Sequence, residues 1–183
     1  MIKAAVFFAE GFEEVEALTV VDLLRRAEFD VAMVSVSGDT YVTGARRITV
    51  QTDISLKNLN FSELDLLVLP GGMPGTIHLA ECEALGRELQ LAASAGKKVA
   101  AICAAPTVLG RLGILQGKKA CCYPGMEGEL PFAKPTALPV TKDDNIITSR
   151  GVGTAIEFAL TLVEEFRGKD IRDALALSIV YQS

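Results

Sequence analysis

The chain has 183 residues, 18 Lys and Arg against 23 Asp and Glu for a net charge of −5, and 50% hydrophobic residues with no Trp. A chain of this length buries about 70% of its unfolded surface, so stability requires neither disulfides nor metal staples, and the apolar content excludes intrinsic disorder. The acidic balance, with no run of basic residues, argues against a nucleic-acid partner.

The apolar run Ile2 to Phe8 predicts a strand, and Ala17, Val20, Val21 and Leu24 at helical spacing predict a helix over Glu13 to Ala27. Val31 to Val36 reads as the next strand, completing a βαβ unit whose crossover is expected to be right-handed. Two β-rich pieces between Thr40 and Val50 flank Thr43, Gly44 and Ala45, which suggests a hairpin or small excursion. Leu64 to Leu69 is a buried strand ended by Pro70-Gly71-Gly72, followed by a helix over Ala80 to Ala95 and a strand over Lys98 to Ile102. Pro106 suits the first turn of a helix that continues to Leu112. Lys119 to Tyr123 and Asn145 to Thr148 read as further strands, separated by a loop holding Pro124, Pro131, Pro135 and Pro139. Ile156, Ala159, Leu160 and Val163 mark a helix stopped at Gly168, and Ile171, Ala174 and Leu175 mark the last one. The Ala, Val, Leu and Ile that dominate these segments fill a sheet covered on both faces, so one α/β domain over residues 1–183 is expected.

The start of the chain has Lys3, a short apolar run, then Glu10, Glu13, Glu14 and Glu16, which does not fit a secretory signal. The longest uncharged apolar stretch, Val99 to Gly110, is too short for a bilayer and contains Pro106. A cytoplasmic protein without membrane association is the expectation. Cys82, Cys103, Cys121 and Cys122 form no C-x-x-C pair and His78 is the only histidine, so no metal site and no cofactor are expected.

In a doubly wound sheet, ligands bind outside the carboxyl ends of the parallel strands. Three features fall there: the loop Glu10-Gly11-Phe12, the Pro70-Gly71-Gly72 turn, and Cys103 directly after Val99 to Ile102. If those strands are neighbours, the three share one pocket. Ala101-Ile102-Cys103-Ala104-Ala105 has the small flanking residues of a nucleophile elbow, and the following helix start would favour thiolate over thiol. The competing account is an inert buried cysteine, which is favoured for Cys82, Cys121 and Cys122. Glu13, Glu14 and Glu16 complement the dipole of the helix they begin, but Glu16 shares a stripe with Val20, Leu23 and Ala27 and could point inward, where burial would raise its pKa. The sequence does not choose among the three. Gly71 and Gly72 could make a tight turn, supply oxyanion-holding amides, or both. A surface or capping role fits His78 better than catalysis, which disfavours a Cys-His hydrolase, and no phosphate-binding glycine loop is present.

Four strings in order resemble the ThiJ/PfpI family, in particular its short branch related to the Parkinson-disease-linked deglycase. They are Glu10-Gly11-Phe12-Glu13-Glu14-Val15-Glu16, Leu69-Pro70-Gly71-Gly72, Ala100-Ala101-Ile102-Cys103-Ala104-Ala105-Pro106, and Thr148-Ser149-Arg150-Gly151-Val152-Gly153-Thr154 before Glu157-Phe158. The resemblance implies a flavodoxin-like, doubly wound three-layer sandwich with a mostly parallel central sheet, usually as a homodimer. It implies Cys103 as elbow nucleophile, Glu16 as a protonated partner, and the amides of Gly72 and Ala104 as oxyanion donors. Gly11, Arg46 and Tyr123 would belong to the pocket. Tyr123 stands where many members have a histidine, Arg47 where an acidic residue is common, and Val152 where Pro is usual.

The activities so implied are cofactor-free glyoxalase III or deglycase chemistry on a small aldehyde or glycated substrate, within oxidative or carbonyl stress protection. The alternative is a redox-sensing or chaperone-like protein whose Cys103 oxidises to sulfinic acid. A weak PfpI-like hydrolase stands further back, as does a thiazole monophosphate biosynthesis label that no phosphate-binding feature supports.

Overall fold

Alternate residues of the central strands face two separate cores, which is why those strands read as unbroken apolar runs. A computed structural model describes residues 1–182. Strands β1 (Lys3–Phe8), β2 (Asp30–Ser35), β5 (Ile54–Ser55), β6 (Leu66–Leu69), β7 (Lys98–Ile102), β10 (Val140–Asp143) and β11 (Ile146–Ser149) form one sheet in the order β10-β11-β7-β6-β1-β2-β5. Every pairing is parallel except β10 with β11. The fold is therefore the three-layer α/β sandwich expected.

Helices α1 (Glu14–Arg26), α5 (Ala155–Arg167) and α6 (Lys169–Ser178) cover one face, where Ala4, Val6, Phe8, Leu66, Val68, Ala100 and Ile102 meet them. Helices α2 (Gly75–Glu81), α3 (Glu83–Ser94) and α4 (Pro106–Arg111) cover the other, against Ala5, Phe7, Leu67, Leu69, Val99 and Ala101. Each fully buried Leu or Phe in these layers contributes roughly 1.5–3 kcal/mol. The hairpin of β3 (Tyr41–Thr43) and β4 (Thr49–Gln51) is the expected excursion between β2 and β5.

Three expectations need correction. The helix over Ala80 to Ala95 is two helices, broken at Cys82 (φ −79°, ψ 88°), with the first starting five residues earlier than expected. In one unbroken helix, at about 100° per residue, Leu85 would lie about 120° round from Leu79. The break lets Leu79, Leu85 and Leu89 enter the same core. The strand over Lys119 to Tyr123 contracts to β8 (Lys119–Ala120), which pairs with β9 (Lys134–Pro135) outside the main sheet. Beyond it the Cys121 amide donates to the Thr148 hydroxyl, not to a strand backbone. The edge next to β11 belongs to β10, at the end of the proline-bearing stretch, with Asp144 in the left-handed region of the intervening turn.

Among the described residues, no helix is long and apolar enough to cross a membrane.

Candidate active site

Strands β1, β6 and β7 lie side by side in parallel, with Val6 opposite Val68 and Leu69 opposite Ala101. The condition for a shared pocket is thus met by Gly72 and Cys103, which line a cleft of about 750 Å³ at the carboxyl ends of the strands together with Glu13, Glu16, Arg46 and Tyr123.

Cys103 sits at φ +66°, the left-handed region that non-glycine residues enter at a cost. Both of its backbone groups are tied down: its N–H donates to the Ser149 carbonyl at 3.1 Å and its carbonyl accepts the Tyr123 N–H at 2.7 Å. The buried Ala104 and Ala105 beside it leave the thiol half-exposed to the cleft. This is the geometry of a nucleophile elbow. Replacement by glycine relieves the strain, so Cys103→Gly is expected to exceed Cys103→Ala in unfolding free energy by about 1 kcal/mol. Equal urea midpoints for the two variants would show an unstrained elbow.

Glu16, on the first turn of α1, is fully buried. Its Oε2 accepts the Gly71 N–H at 2.9 Å, and its carboxyl lies beside the Cys103 side chain, the two packed around the bare Cα of Gly71. Oε1 is buried with no hydrogen-bond partner. Burial pushes the Glu16 carboxyl up to about 7, against the opposing hydrogen bonds from Cys103 and Gly71. Burial, then the adjacent Glu16 charge and hydrogen bond, push the Cys103 thiol up to about 12, while the amides of Ala104 and Gly72 pull it back. The expected preference for thiolate at a helix start is thus corrected. Helix α4 has only six residues, and its dipole does not outweigh burial beside a carboxylate. Burial, and for Cys103 the charge of Glu16, thus oppose a second negative charge at the site.

Backbone geometry builds the remainder. A Cβ on Gly71 would lie 2.6 Å from the Cys103 Cβ and 2.7 Å from Glu16 Oε2, so only a bare backbone lets acid and thiol meet. Gly72 turns at φ +96°, where a Cβ would stand 2.3 Å from the Glu13 nitrogen. Its amide and that of Ala104 lower the Cys103 pKa, in opposition to burial. The glycine pair therefore makes the tight turn and presents an amide together.

The three glutamates also separate by geometry. Of the three, Glu16 alone shifts the Cys103 thiol. Glu14 is buried and accepts the Arg46 and Ile48 amides at 2.7 and 3.4 Å, bracing the loop of the β3–β4 hairpin. Glu13 lies at the rim, 3.9 Å from the largely exposed Arg46 guanidinium. Gly11 is not a pocket residue, which corrects the expectation. It is buried at φ +84°, and a Cβ there would stand 2.4 Å from Pro74 Cδ, so its bareness serves the packing of two loops. His78 lies in a separate cleft of about 380 Å³ beside Cys82, with its Nδ1 2.8 Å from the Glu10 carbonyl. Arg150 and Gly151, at the end of β11, line the Cys103 cleft without having been singled out as site residues. Their position after a strand of the same parallel set was the available signal.

A doubly wound sheet with a left-handed cysteine elbow beside a buried carboxyl defines an α/β protein of the nucleophile-elbow type. The chain belongs to the DJ-1/PfpI family, whose pattern matches residues 2–165. It is 40% identical to protein dj-1beta of Drosophila melanogaster over 170 residues, covering 92% of this chain and 91% of that one. It is 34% identical to a Caenorhabditis elegans protein named glutathione-independent glyoxalase DJR-1.2, covering 91% of this chain and 89% of that one. The solved structure of Toxoplasma gondii DJ-1, described as oxidized, superposes with a TM-score of 0.96 at 35% identity and covers the whole of both chains.

Proposed function

We propose that the chain is a cofactor-independent enzyme of reactive carbonyls, converting methylglyoxal and water to lactate in the manner of a glyoxalase III, or deglycating early aldehyde adducts. The observation that carries this reading is the fully buried Glu16 carboxyl beside the Cys103 side chain, pushed up to about 7 by burial. A glyoxalase that works without glutathione must supply its own thiol, and here the proton has a place to go. As sulfur bonds to the aldehyde carbon, its proton passes to the Glu16 carboxylate, and the new oxyanion takes the amides of Gly72 and Ala104. Glu16 returns that proton to the oxyanion, giving the hemithioacetal, and as carboxylate then takes the proton of the former aldehyde carbon and delivers it to the neighbouring carbon through an enediol, giving a lactoyl thioester. Water cleaves that thioester to lactate and restores the thiol. Lactate formation from methylglyoxal without glutathione, blocked when Cys103 is carbamidomethylated, tests the reading. Unchanged turnover by the alkylated protein would end it.

A second reading, redox sensing, draws on the oxidized form described for the Toxoplasma gondii relative and on Glu16 Oε1, which is buried without a hydrogen-bond partner. Two equivalents of hydrogen peroxide would convert the thiol to sulfinic acid and yield two waters, with a protonated Glu16 donating to a sulfinyl oxygen. Intact mass after mild peroxide reads this directly, and modification spread over all four cysteines would reject it. A homodimer in the cytoplasm accompanies either reading. Val15 and Ile48, exposed beside the braced hairpin loop, are the apolar side chains such a dimer would cover, and sedimentation velocity measures it.

A further inference from the structure

The cleft is far larger than a three-carbon dicarbonyl requires, and a cation without a counter-charge stands in its wall. Arg150 lines it from the turn after β11. Among the described residues, no carboxylate lies within ion-pair distance of its guanidinium, whereas Arg46 on the same cleft faces Glu13 at 3.9 Å. The Arg150 guanidinium is held by one bond, Nη1 to the Ala137 carbonyl at 3.2 Å, and its Nε is shut off from solvent with no acceptor. Its backbone is equally fixed, since the amides of Arg150 and Gly151 both donate to the Thr154 hydroxyl at 3.2 Å. Glu16, the other carboxyl of the cleft without an ion-pair partner, is fully buried beside the Cys103 side chain. A guanidinium so placed is a ready partner for a planar carboxylate, which it can meet through two parallel N–H donors.

The geometry points to Arg150 as a specificity-determining residue that selects α-oxo aldehydes bearing a carboxylate at the end remote from the aldehyde, the sulfur of Cys103 taking the aldehyde carbon. This rests on the carbonyl-enzyme reading above and names its substrate class. The reaction balances as before: the oxo aldehyde and one water become a 2-hydroxy acid, here with a second carboxylate at its far end. The apolar Met73, Met126 and Val152 line the same cleft and would contact the carbon chain between the two ends.

Two measurements test it on the full chain. The first compares kcat/KM for 4,5-dioxopentanoate with that for neutral methylglyoxal; a charge-assisted hydrogen bond predicts a preference of roughly tenfold to a hundredfold for the anion. Arg150→Met should lower that ratio at least tenfold, and Arg150→Lys should restore part of it. The second compares alkylation of Cys103 by iodoacetate and by iodoacetamide, with free cysteine as the reference. The wild-type protein should favour the anionic reagent relative to that reference, and added salt should weaken the preference. Methylglyoxal turnover with no preference for the anion, and an alkylation ratio that matches free cysteine and ignores salt, would overturn the proposal for Arg150. If neither aldehyde is turned over, the carbonyl-enzyme reading fails, while the alkylation ratio still decides whether Arg150 acts on anions at this sulfur. Because the salt arm uses the wild-type protein, a variant that fails to fold leaves the test intact.

Discussion

Cys103→Ser should lower lactate formation from methylglyoxal on the order of 10³-fold or more, the loss expected when a covalent nucleophile is removed from an otherwise intact site. The hydroxyl keeps the place of the thiol and the amides of Gly72 and Ala104, so what is lost is acidity and nucleophilicity. The Cys103 thiol already stands at about 12 while Glu16 is ionised, and a hydroxyl in its place would be far harder for a carboxylate of pKa about 7 to deprotonate. The pH profile carries the same logic. Below about 7 the pair holds both protons and no acceptor exists for the thiol proton; above it the Glu16 carboxylate can take that proton. Wild-type kcat/KM should therefore rise through about 7, and Glu16→Gln should abolish that inflection. A serine variant retaining a tenth of wild-type activity would place the bond-forming atom elsewhere.

Glu16→Gln should also stabilise the fold at alkaline pH by about 3 kcal/mol, the free-energy equivalent of raising a fully buried carboxyl from its ordinary 4.5 to about 7. The sign follows from which state holds the proton. Between 4.5 and 7 the folded protein keeps the Glu16 proton that the unfolded chain releases, so stability falls as pH rises across that window. The whole contribution is present below 4.5 and gone above 7. Glutamine stays neutral at every pH and its side-chain oxygen can still accept the Gly71 amide. Urea unfolding of both proteins should then give equal free energies near pH 4 and diverge by pH 8, with the variant the more stable. A difference independent of pH would mean that Glu16 is not held protonated by burial.

What the sequence reveals follows from how local each determinant is. Strand runs such as Leu66–Leu69 and Lys98–Ile102, and the cysteine between small residues, are legible because burial on both faces and a tight elbow each impose composition over a few neighbours. The break at Cys82 is not legible, because it answers to the direction from which Leu79 and Leu85 approach a common core, a relation between two helices. The displacement of β8 from the central sheet has the same origin: Lys119 and Ala120 are competent strand residues, and the competing edge β10 wins through its turn with β11. Within the site, Glu16 could be suspected from its helical stripe, but separating it from Glu14 required seeing that Glu14 is occupied by the amides of Arg46 and Ile48. Gly11 misleads because a glycine beside a site and a glycine between two loops look alike in one dimension.

The two backbone hydrogen bonds that pin Cys103, to Ser149 on one side and Tyr123 on the other, tie the elbow to two segments distant in sequence. The chain has no slack at Cys103. An adduct or oxygen added to the sulfur is therefore accommodated by the cleft and not by rearrangement of the elbow, and the modified and unmodified proteins differ mainly in the shape and charge of one mouth. On the redox reading, a modification of Cys103 would alter the opening between Arg46 and Tyr123, a change of surface on an unchanged scaffold.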